Sequence, residues 1–266
     1  MFDDKVVVIS GGSSGLGLAM ALILHKTGAR LALLARNGAK LRKARDEIEQ
    51  ANPQGAPVAV FECDVADRGS VDGAFERITK TVGPVDFLVN SAGVLKEGRF
   101  TDLSPETFRH VMDINYFGTL HAMQAVLPSM LERKSGAILN ICSVAGRMGV
   151  YGYAAYCSSK HAITGLTDSV RSELCGTGVS LSIAYPPEFV SPMTEELETC
   201  RTPQNRAMVQ TIPVMSVEKV AEIIVKGLER GQYEIIPGLP SKAVTRFNQW
   251  FPSLAFAVAQ RRMRNL

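Results

Sequence analysis

A glycine-rich turn near the N-terminus constrains the fold of this chain more than any other segment. Residues 5–10 form a short apolar run rich in β-branched side chains, which predicts a strand buried on both faces. Residues 11–17 read GGSSGLG, and residues 18–27 continue with apolar positions at helical spacing. A strand, a glycine turn and a helix in this order bring backbone N–H groups and a helix N-terminus to a phosphate. Because a glycine turn alone is weak evidence, the prediction of a phosphate site depends on the flanking strand and helix.

The rest of the chain alternates predicted strands with predicted helices. Its 266 residues, 46% of them hydrophobic, suffice for one α/β domain. The further strands are predicted at 30–35, 58–63, 85–89, 136–142, 179–185 and 233–236, and the further helices at 39–50, 71–82, 105–131, 154–174 and 217–230. This alternation implies right-handed crossovers and a parallel sheet covered by helices on both faces. We expect the domain to span residues 1–240, with an irregular substrate lid at about 187–213, and a tail to span 241–266.

Tyr156 and Lys160 stand four positions apart in the predicted helix 154–174, so both side chains lie on one face. A phenol has an ordinary pKa of about 10, and an ammonium one turn away favours the phenolate and lowers that pKa. The pair is therefore suited to moving a proton to or from a substrate oxygen. Ser143 follows the strand 136–142, and ligands of such sheets bind outside the carboxyl ends of the strands. Taken alone, the pair is more simply read as a solvated helix surface.

Polar residues that follow the second and third strands suit a dinucleotide. Arg36 ends the second strand, where an acidic residue would hold the ribose 2′-hydroxyl of NAD, and its guanidinium suits a 2′-phosphate instead. A surface arginine at a strand end is the alternative. Asp64 and Val65 follow the third strand, where a carboxylate could accept from an adenine amino group and a backbone N–H could contact the ring. The small residues of the segment 90–93 would let a ribose approach the backbone.

Charge and cysteine content exclude several other classes of function. The net charge of +3 is too small to indicate a nucleic-acid partner. The five cysteines lack CxxC or metal-ligand spacing, so we expect no metal site. Their odd number and the absence of a signal peptide predict a reducing, cytoplasmic location with buried thiols.

Taken together, these motifs resemble the short-chain dehydrogenase/reductase family over residues 5 to about 237. The matching residues, in family order and spacing, are Gly11, Gly15, Gly17, Asp64, the segment Asn90-Ser91-Ala92-Gly93, Asn115, Ser143, Tyr156 and Lys160. The resemblance implies a single Rossmann-like, doubly wound α/β domain with a seven-stranded parallel sheet and an NAD(P) cofactor. It also implies assembly as a homodimer or homotetramer.

The resemblance assigns a role to each matched residue. It makes Tyr156 the acid–base, Ser143 the hydrogen-bond donor to the substrate oxygen, and Lys160 the residue that lowers the pKa of Tyr156 and holds the nicotinamide ribose. Asn115 would hold a water in a proton relay to Lys160. The cofactor-binding residues implied are Gly11, Ser13, Ser14, Gly15, Leu16, Gly17, Arg36, Asp64, Val65, Asn90, Ala92, Gly93, Tyr156, Lys160, Pro186, Val190 and Ser191. The chain departs from the family at Ser91, usually Asn, at Pro187, usually Gly, and at Ser191, usually Thr.

A looser resemblance points to a subgroup similar to the 3-ketodihydrosphingosine reductases. It rests on the segment 12–15, Arg36, the pair Pro186-Pro187 and the pair Thr202-Pro203. The subgroup implies NADPH and a long-chain ketone reduced at a membrane surface. Reductases of steroid, retinoid or fatty-acyl carbonyls share most of these features. A catalytically silent, NADPH-binding regulatory protein is a rival of another class.

The tail from residue 241 combines aromatic and basic residues and is interrupted by Pro252, which predicts two short helices. The aromatic and aliphatic members are Val244, Phe247, Trp250, Phe251, Leu254, Phe256 and Val258, and the basic members are Lys242, Arg246, Arg261, Arg262 and Arg264. This composition suits a peripheral contact with an anionic membrane surface. It equally suits an apolar face that packs over the substrate cleft or a neighbouring subunit.

Overall fold

The computed structural model describes residues 1–263, and its centre is a seven-stranded sheet. The strand order is β3-β2-β1-β4-β5-β6-β7, and every pair of neighbours runs parallel. The strands are β1 (Val6–Ser10), β2 (Arg30–Ala35), β3 (Ala59–Glu62), β4 (Phe87–Asn90), β5 (Gly136–Ile141), β6 (Val179–Ala184) and β7 (Glu234–Ile235). The predicted doubly wound, parallel α/β fold is confirmed.

Helices cover both faces of this sheet. The longer ones are α1 (Gly15–Lys26), α2 (Gly38–Ala51), α3 (Arg68–Thr81), α4 (Pro105–Met112), α5 (Gly118–Glu132), α6 (Ala154–Glu173), α9 (Val217–Glu229), α10 (Leu239–Trp250) and α11 (Pro252–Met263), and the short ones are α7 (Pro192–Glu198) and α8 (Pro203–Val209). In β1, Val7 and Ile9 pack with α1, α2 and α9, whereas Val8 packs with α3 and α5. The alternation of side chains along a strand therefore buries β1 on both faces, as its apolar run predicts.

The predicted helix 105–131 contains an irregularity that the apolar pattern does not reveal. Between α4 and α5 the backbone forms a π-helical turn, Asp113–Phe117, which holds Asn115. Such turns often occur at functional sites. The segment is helical throughout, but its middle is wound differently from the single regular helix expected.

The prediction of an irregular lid at 187–213 is wrong in detail, because α7 and α8 lie within it. Each short helix has proline in its first turn and a capping side chain directly before it. The hydroxyl of Ser191 accepts from the N–H of Thr194, and that of Thr202 accepts from the N–H of Asn205. Proline in the first helical turn costs no backbone hydrogen bond, so these prolines begin helices here.

The tail forms the two helices expected, α10 and α11, separated at Pro252. Ser241 and Thr245 of α10 are buried, whereas α11 has no fully buried residue. Arg264, which the sequence also placed in the basic cluster, lies outside the described residues. Within residues 1–263, none of the helices has the combined length and hydrophobicity that crossing a bilayer requires.

A buried polar network links the carboxyl ends of the central strands. Asn90 and Asn140 are cross-strand partners of β4 and β5, and the Nδ2 of Asn90 donates to the Oδ1 of Asn140 at 2.9 Å. The Nδ2 of Asn140 in turn donates to the hydroxyl of Thr167 on α6 at 2.9 Å. Because buried polar groups are costly without partners, this network fixes α6 against β4 and β5.

Candidate active site

Ser143, Tyr156 and Lys160 meet in one cleft at the carboxyl ends of the strands. The cleft has a volume of about 260 Å³, and all three side chains line it. Ser143 stands two residues beyond the end of β5, whereas Tyr156 and Lys160 come from the first two turns of α6. Gly11, Ala92 and Gly93 line the same cleft from the ends of β1 and β4. The sequence prediction that these distant segments converge is therefore supported by their placement.

Lys160 is buried and tied to the sheet. Its Nζ donates to the carbonyl oxygen of Ile141 at 3.0 Å and lies 5.5 Å from the ring centroid of Tyr156. The thiol of Cys142 donates to the carbonyl oxygen of Lys160 at 3.2 Å, so the same two elements are bonded twice. These contacts hold the first turns of α6 at the end of β5.

The pKa of Tyr156 is shifted in the direction opposite to that expected from the sequence. Burial of the phenol raises this pKa above its ordinary value, and the Cys142 thiol adds to the rise, whereas the Ser143 hydroxyl opposes it. Burial also lowers the pKa of Lys160. Because low polarity disfavours every charged form, the pair as built favours a neutral phenol over a phenolate.

Asn115 is fully buried, and its side chain is engaged with protein groups. Its Oδ1 accepts from the N–H of Val94 at 2.8 Å, and its Nδ2 donates to the carbonyl of Val94 and to the hydroxyl of Ser159. A Cβ added at Gly93 would lie 3.2 Å from the Oδ1 of Asn115 and 3.8 Å from the Nζ of Lys160. Asn115 thus joins the segment after β4 to α6, and its part in a water relay stays a prediction.

The glycine turn has the geometry that a dinucleotide phosphate requires. Gly11 and Gly15 have φ values of +69° and +53°, which favour glycine. A Cβ at Gly17 would lie 2.4 Å from the carbonyl oxygen of Gly11, so the helix approaches the turn as only glycine permits. Ser14 precedes α1 without capping it by its side chain, which leaves first-turn N–H groups for an anion. Ser13, Ser14, Gly15 and Leu16 line the cleft, and these residues fit a nucleotide.

Several predicted cofactor residues lie at the margin of the cleft or outside it. Pro186 and Ser191 line it, but Val190 does not and is 56% exposed. Arg36 is exposed at the end of β2, and Asp64 turns its Oδ1 back to the N–H of Ala66 at 3.1 Å.

Two further predicted residues make contacts with the protein itself. Val65 is buried, and its carbonyl oxygen faces the Nδ1 of His121 at 3.1 Å. The side chain of Asn90 points into the core, towards Asn140, and Asn90 does not line the cleft. Its part in cofactor binding stays a prediction.

The sequence analysis missed Tyr153, which lines the cleft beside Tyr156. The two rings lie 6.0 Å apart, edge to face, and Tyr153 is 5% exposed. Burial raises the pKa of Tyr153 to about 12. Its spacing of three from Tyr156 places it at the same helix start, which is the only sequence signal that could have identified it.

The lid is fixed by a buried ion pair that was also missed. The guanidinium of Arg201, whose side chain is 1% exposed, lies 3.1 Å from a carboxylate oxygen of Glu188 and 3.0 Å from one of Glu198. Glu188 follows the pair Pro186-Pro187 and lines the cleft. The Oε1 of Glu97 accepts from the N–H of Thr202 at 2.9 Å. The lid therefore has fixed polar anchors beside an apolar lining supplied mainly by Phe189, Met193, Leu197, Met208, Val209 and Ile212.

Comparisons with known proteins agree with this geometry. The family model of the short chain dehydrogenases matches residues 5–201. The chain is 37% identical to the 3-ketodihydrosphingosine reductase of Bos taurus over 229 residues, covering 85% of this chain and 69% of that protein. The corresponding protein of Mus musculus is 36% identical over the same shares.

Solved structures show the same architecture. A short chain dehydrogenase/reductase from Burkholderia phymatum in complex with NAD superimposes with a TM-score of 0.84 at 25% identity, covering 95% of both chains. A variant of actinorhodin polyketide ketoreductase with NADPH superimposes with a TM-score of 0.80 at 27% identity, covering 90% of this chain and 99% of that chain.

Tyr156 should remain protonated at a pH where an ordinary tyrosine is half ionised, about 10. Burial disfavours the phenolate, so the pKa lies higher and the neutral form persists. The measurement is the phenolate absorbance of wild type minus that of Tyr156→Phe, titrated with circular dichroism as the control for folding. If the difference signal reaches half of the absorbance of one phenolate at or below a pH of about 10 while the protein is folded, the burial argument is contradicted.

Proposed function

The chain belongs to the short-chain dehydrogenase family, and from this premise we propose that it reduces a ketone on a hydrophobic, long-chain substrate with NADPH. That it is an oxidoreductase acting on carbonyl or alcohol groups follows from the family itself. The observation that carries the proposal is the meeting of Ser143, Tyr156 and Lys160 in a cleft whose lid is apolar. The relatives named as 3-ketodihydrosphingosine reductases support a long-chain ketone.

Each polar side chain of the cleft has a distinct task in this proposal. A nicotinamide dinucleotide, when bound, supplies the hydride for the carbonyl carbon. The Ser143 hydroxyl donates a hydrogen bond to the carbonyl oxygen, and the Tyr156 phenol transfers its proton to that oxygen as negative charge develops. Lys160, held by the carbonyl of Ile141, fixes the position of the phenol and the ribose. The product is a secondary alcohol.

The raised pKa of Tyr156 favours this reductive direction. Ketone reduction needs a proton donor, and a phenol with a raised pKa is fully protonated at neutral pH. Alcohol oxidation needs the phenolate, which the same burial disfavours. At neutral pH the Tyr156 phenol of the protein alone is therefore in the protonated form that can donate a proton, and the phenolate that could accept one is scarce.

The rival proposal is a nucleotide-binding protein without turnover. It has no use for a buried lysine tied to β5 or for a serine and a tyrosine facing one cleft. Tight cofactor binding without oxidation of NADPH by any ketone would favour this rival.

Tyr156→Phe should abolish reduction of a long-chain ketone such as 3-ketosphinganine and leave cofactor binding nearly intact. The substitution removes the proton donor but keeps the ring against Tyr153. The measurement is NADPH oxidation together with a cofactor titration by fluorescence. Tyr153→Phe is the matched control, since it removes a neighbouring phenol to which no proton transfer is assigned. A kcat of Tyr156→Phe near that of wild type would exclude the assignment.

We further propose that Arg36 makes NADPH the preferred cofactor. Arg36 is exposed at the end of β2 and forms no ion pair with any described residue, so its guanidinium is available to a 2′-phosphate. A hydrogen bond to a charged group contributes roughly 1.5–3 kcal/mol, which is about tenfold to over a hundredfold in affinity. Arg36→Ala should lower the affinity for NADPH by that factor and leave NADH unaffected.

The control for this experiment is Arg45→Ala, which removes a guanidinium of α2 that is paired with Asp46. NADPH and NADH are each titrated by calorimetry into the wild type, Arg36→Ala and Arg45→Ala, and the affinities are compared. Equal affinity of the wild type for NADPH and NADH would refute the proposed preference.

A peripheral membrane contact of the tail belongs to the same proposal. Trp250, Phe251, Leu254 and Phe256 are 53–68% exposed on adjoining helices, and Arg261 and Arg262 follow them. A basic residue near an anionic surface contributes about 1 kcal/mol. Trp250→Ser combined with Leu254→Ser should reduce co-sedimentation with anionic vesicles at low salt.

Phe100→Ser is the control, because it removes a 73% exposed aromatic residue far from the tail in sequence. Wild-type protein that stays in the supernatant with anionic vesicles at low salt would show that the tail has another role.

A further inference from the structure

A second cavity adjoins the catalytic cleft on the side of the tail. It has a volume of about 850 Å³ and lies between the segment 148–151, α8 and the two tail helices. Met148, Val150, Met208 and Thr211 line both this cavity and the cleft that holds Tyr156. These four shared residues place the two spaces directly beside one another. We call the second cavity the tail groove.

One face of each tail helix forms the walls of the tail groove. On α11 the lining positions recur at helical spacing along its whole length, and on α10 they lie on two successive turns. These positions are Pro252, Ala255, Phe256, Val258, Ala259, Arg262 and Met263 on α11, and Ala243, Val244, Phe247 and Asn248 on α10. The walls are therefore mostly apolar from end to end.

The polar residues of the tail groove are engaged with protein groups. Asn248 donates from Nδ2 to the carbonyl oxygen of Arg147 at 3.2 Å, and Arg262 donates to the hydroxyl of Thr211 at 2.9 Å. The N–H of Tyr151 points at the sulfur of Met208 at 3.3 Å. These contacts hold the tail against the lid and leave apolar surface for an occupant.

We propose that the tail groove binds the alkyl chain of the substrate whose carbonyl lies at Tyr156. This inference rests on the proposed ketone reduction. The chain would leave the cleft past Met148 and Met208, where the two spaces share their walls, and continue along α11. Methionine side chains adapt to a flexible chain because they are unbranched and have several rotatable bonds. The occupant is thus a single-chain amphiphile with its reactive ketone near the polar end.

The dimensions of the tail groove fit a long chain. A helix of 12 residues such as α11 is about 18 Å long. An extended polypeptide covers about 3.6 Å over three backbone bonds, so an extended alkyl chain of the same length contains about fifteen bonds. Burying a methylene group contributes about 0.8 kcal/mol, or about fourfold in kcat/KM, until the chain exceeds the groove.

The test compares straight-chain ketones from hexyl to hexadecyl in wild type, Ala259→Trp and Ala257→Trp. Ala259 lines the tail groove, whereas Ala257 is exposed on α11 and does not line it, so the second variant is a matched control. Wild type should gain about fourfold in kcat/KM per added methylene. Ala259→Trp should lose this gain for long chains and keep the activity on short ones, and Ala257→Trp should behave as wild type. Ala255→Trp repeats the block one turn away, should Ala259→Trp fail to fold.

A calorimetric titration with hexadecanol in detergent-free buffer separates this inference from the proposed function. Hexadecanol binding that Ala259→Trp abolishes and Ala257→Trp preserves supports the tail groove even if no ketone is reduced. Reduction of ketones at a rate independent of chain length overturns the groove and leaves the reductase intact. Equal binding of the alcohol by all three proteins also overturns the proposed alkyl-chain site. A change of oligomeric state caused by Ala259→Trp alone overturns it too, because it would show that a second copy of the chain covers the tail groove.

Discussion

The hydrogen bond from the Nζ of Lys160 to the carbonyl oxygen of Ile141 is the interaction on which the arrangement of the cleft depends. It joins the start of α6 to the last residue of β5, and Ser143 stands only two residues further on. Placing an amine in this buried position costs free energy that the bond has to offset. In return, the phenol of Tyr156 on α6 is held close to the hydroxyl of Ser143, which stands two residues beyond the end of β5.

Asn115 performs a similar function between the segment after β4 and α6. The π-helical turn that carries it projects its amide between the segment after β4 and α6. The unusual winding thus occurs where one buried amide meets three protein groups, the N–H and the carbonyl of Val94 and the hydroxyl of Ser159.

The sequence predicted the sheet well, and it also predicted that Ser143, Tyr156 and Lys160 lie close together, because both follow from local patterns and from motif order. The direction of the Tyr156 pKa shift could not be predicted, since it depends on how deeply the phenol is buried and on how closely Cys142 approaches it. The orientation of Asn90 was equally hidden, because a strand buried on both faces gives no polar signal of which side faces the ligand.

The lid was interpreted as an irregular segment because its sequence is polar and contains several prolines, although Pro192 and Pro203 stand at first-turn positions where proline is favoured. For the tail, the aromatic and basic composition is visible in the sequence, but the division of its faces depends on α8, which is distant in the chain. The sequence thus predicted a tail of two helices. It did not predict which side chains of the tail line the tail groove and which are exposed to solvent.

The ion pairs of Arg201 with Glu188 and Glu198 have a consequence for how this protein can change over generations. Losing the guanidinium alone would leave the largely buried carboxylate of Glu188 without its partner, at a cost of about 3–5 kcal/mol, so Arg201 and Glu188 can be exchanged only together. Glu198 is less restricted, because it is 46% exposed and also pairs with Arg206. The apolar side chains that α7 and α8 present to the cleft carry no such restriction, and swaps that conserve volume cost little. Substrate preference can therefore drift by small steps while the frame that holds the lid stays constant.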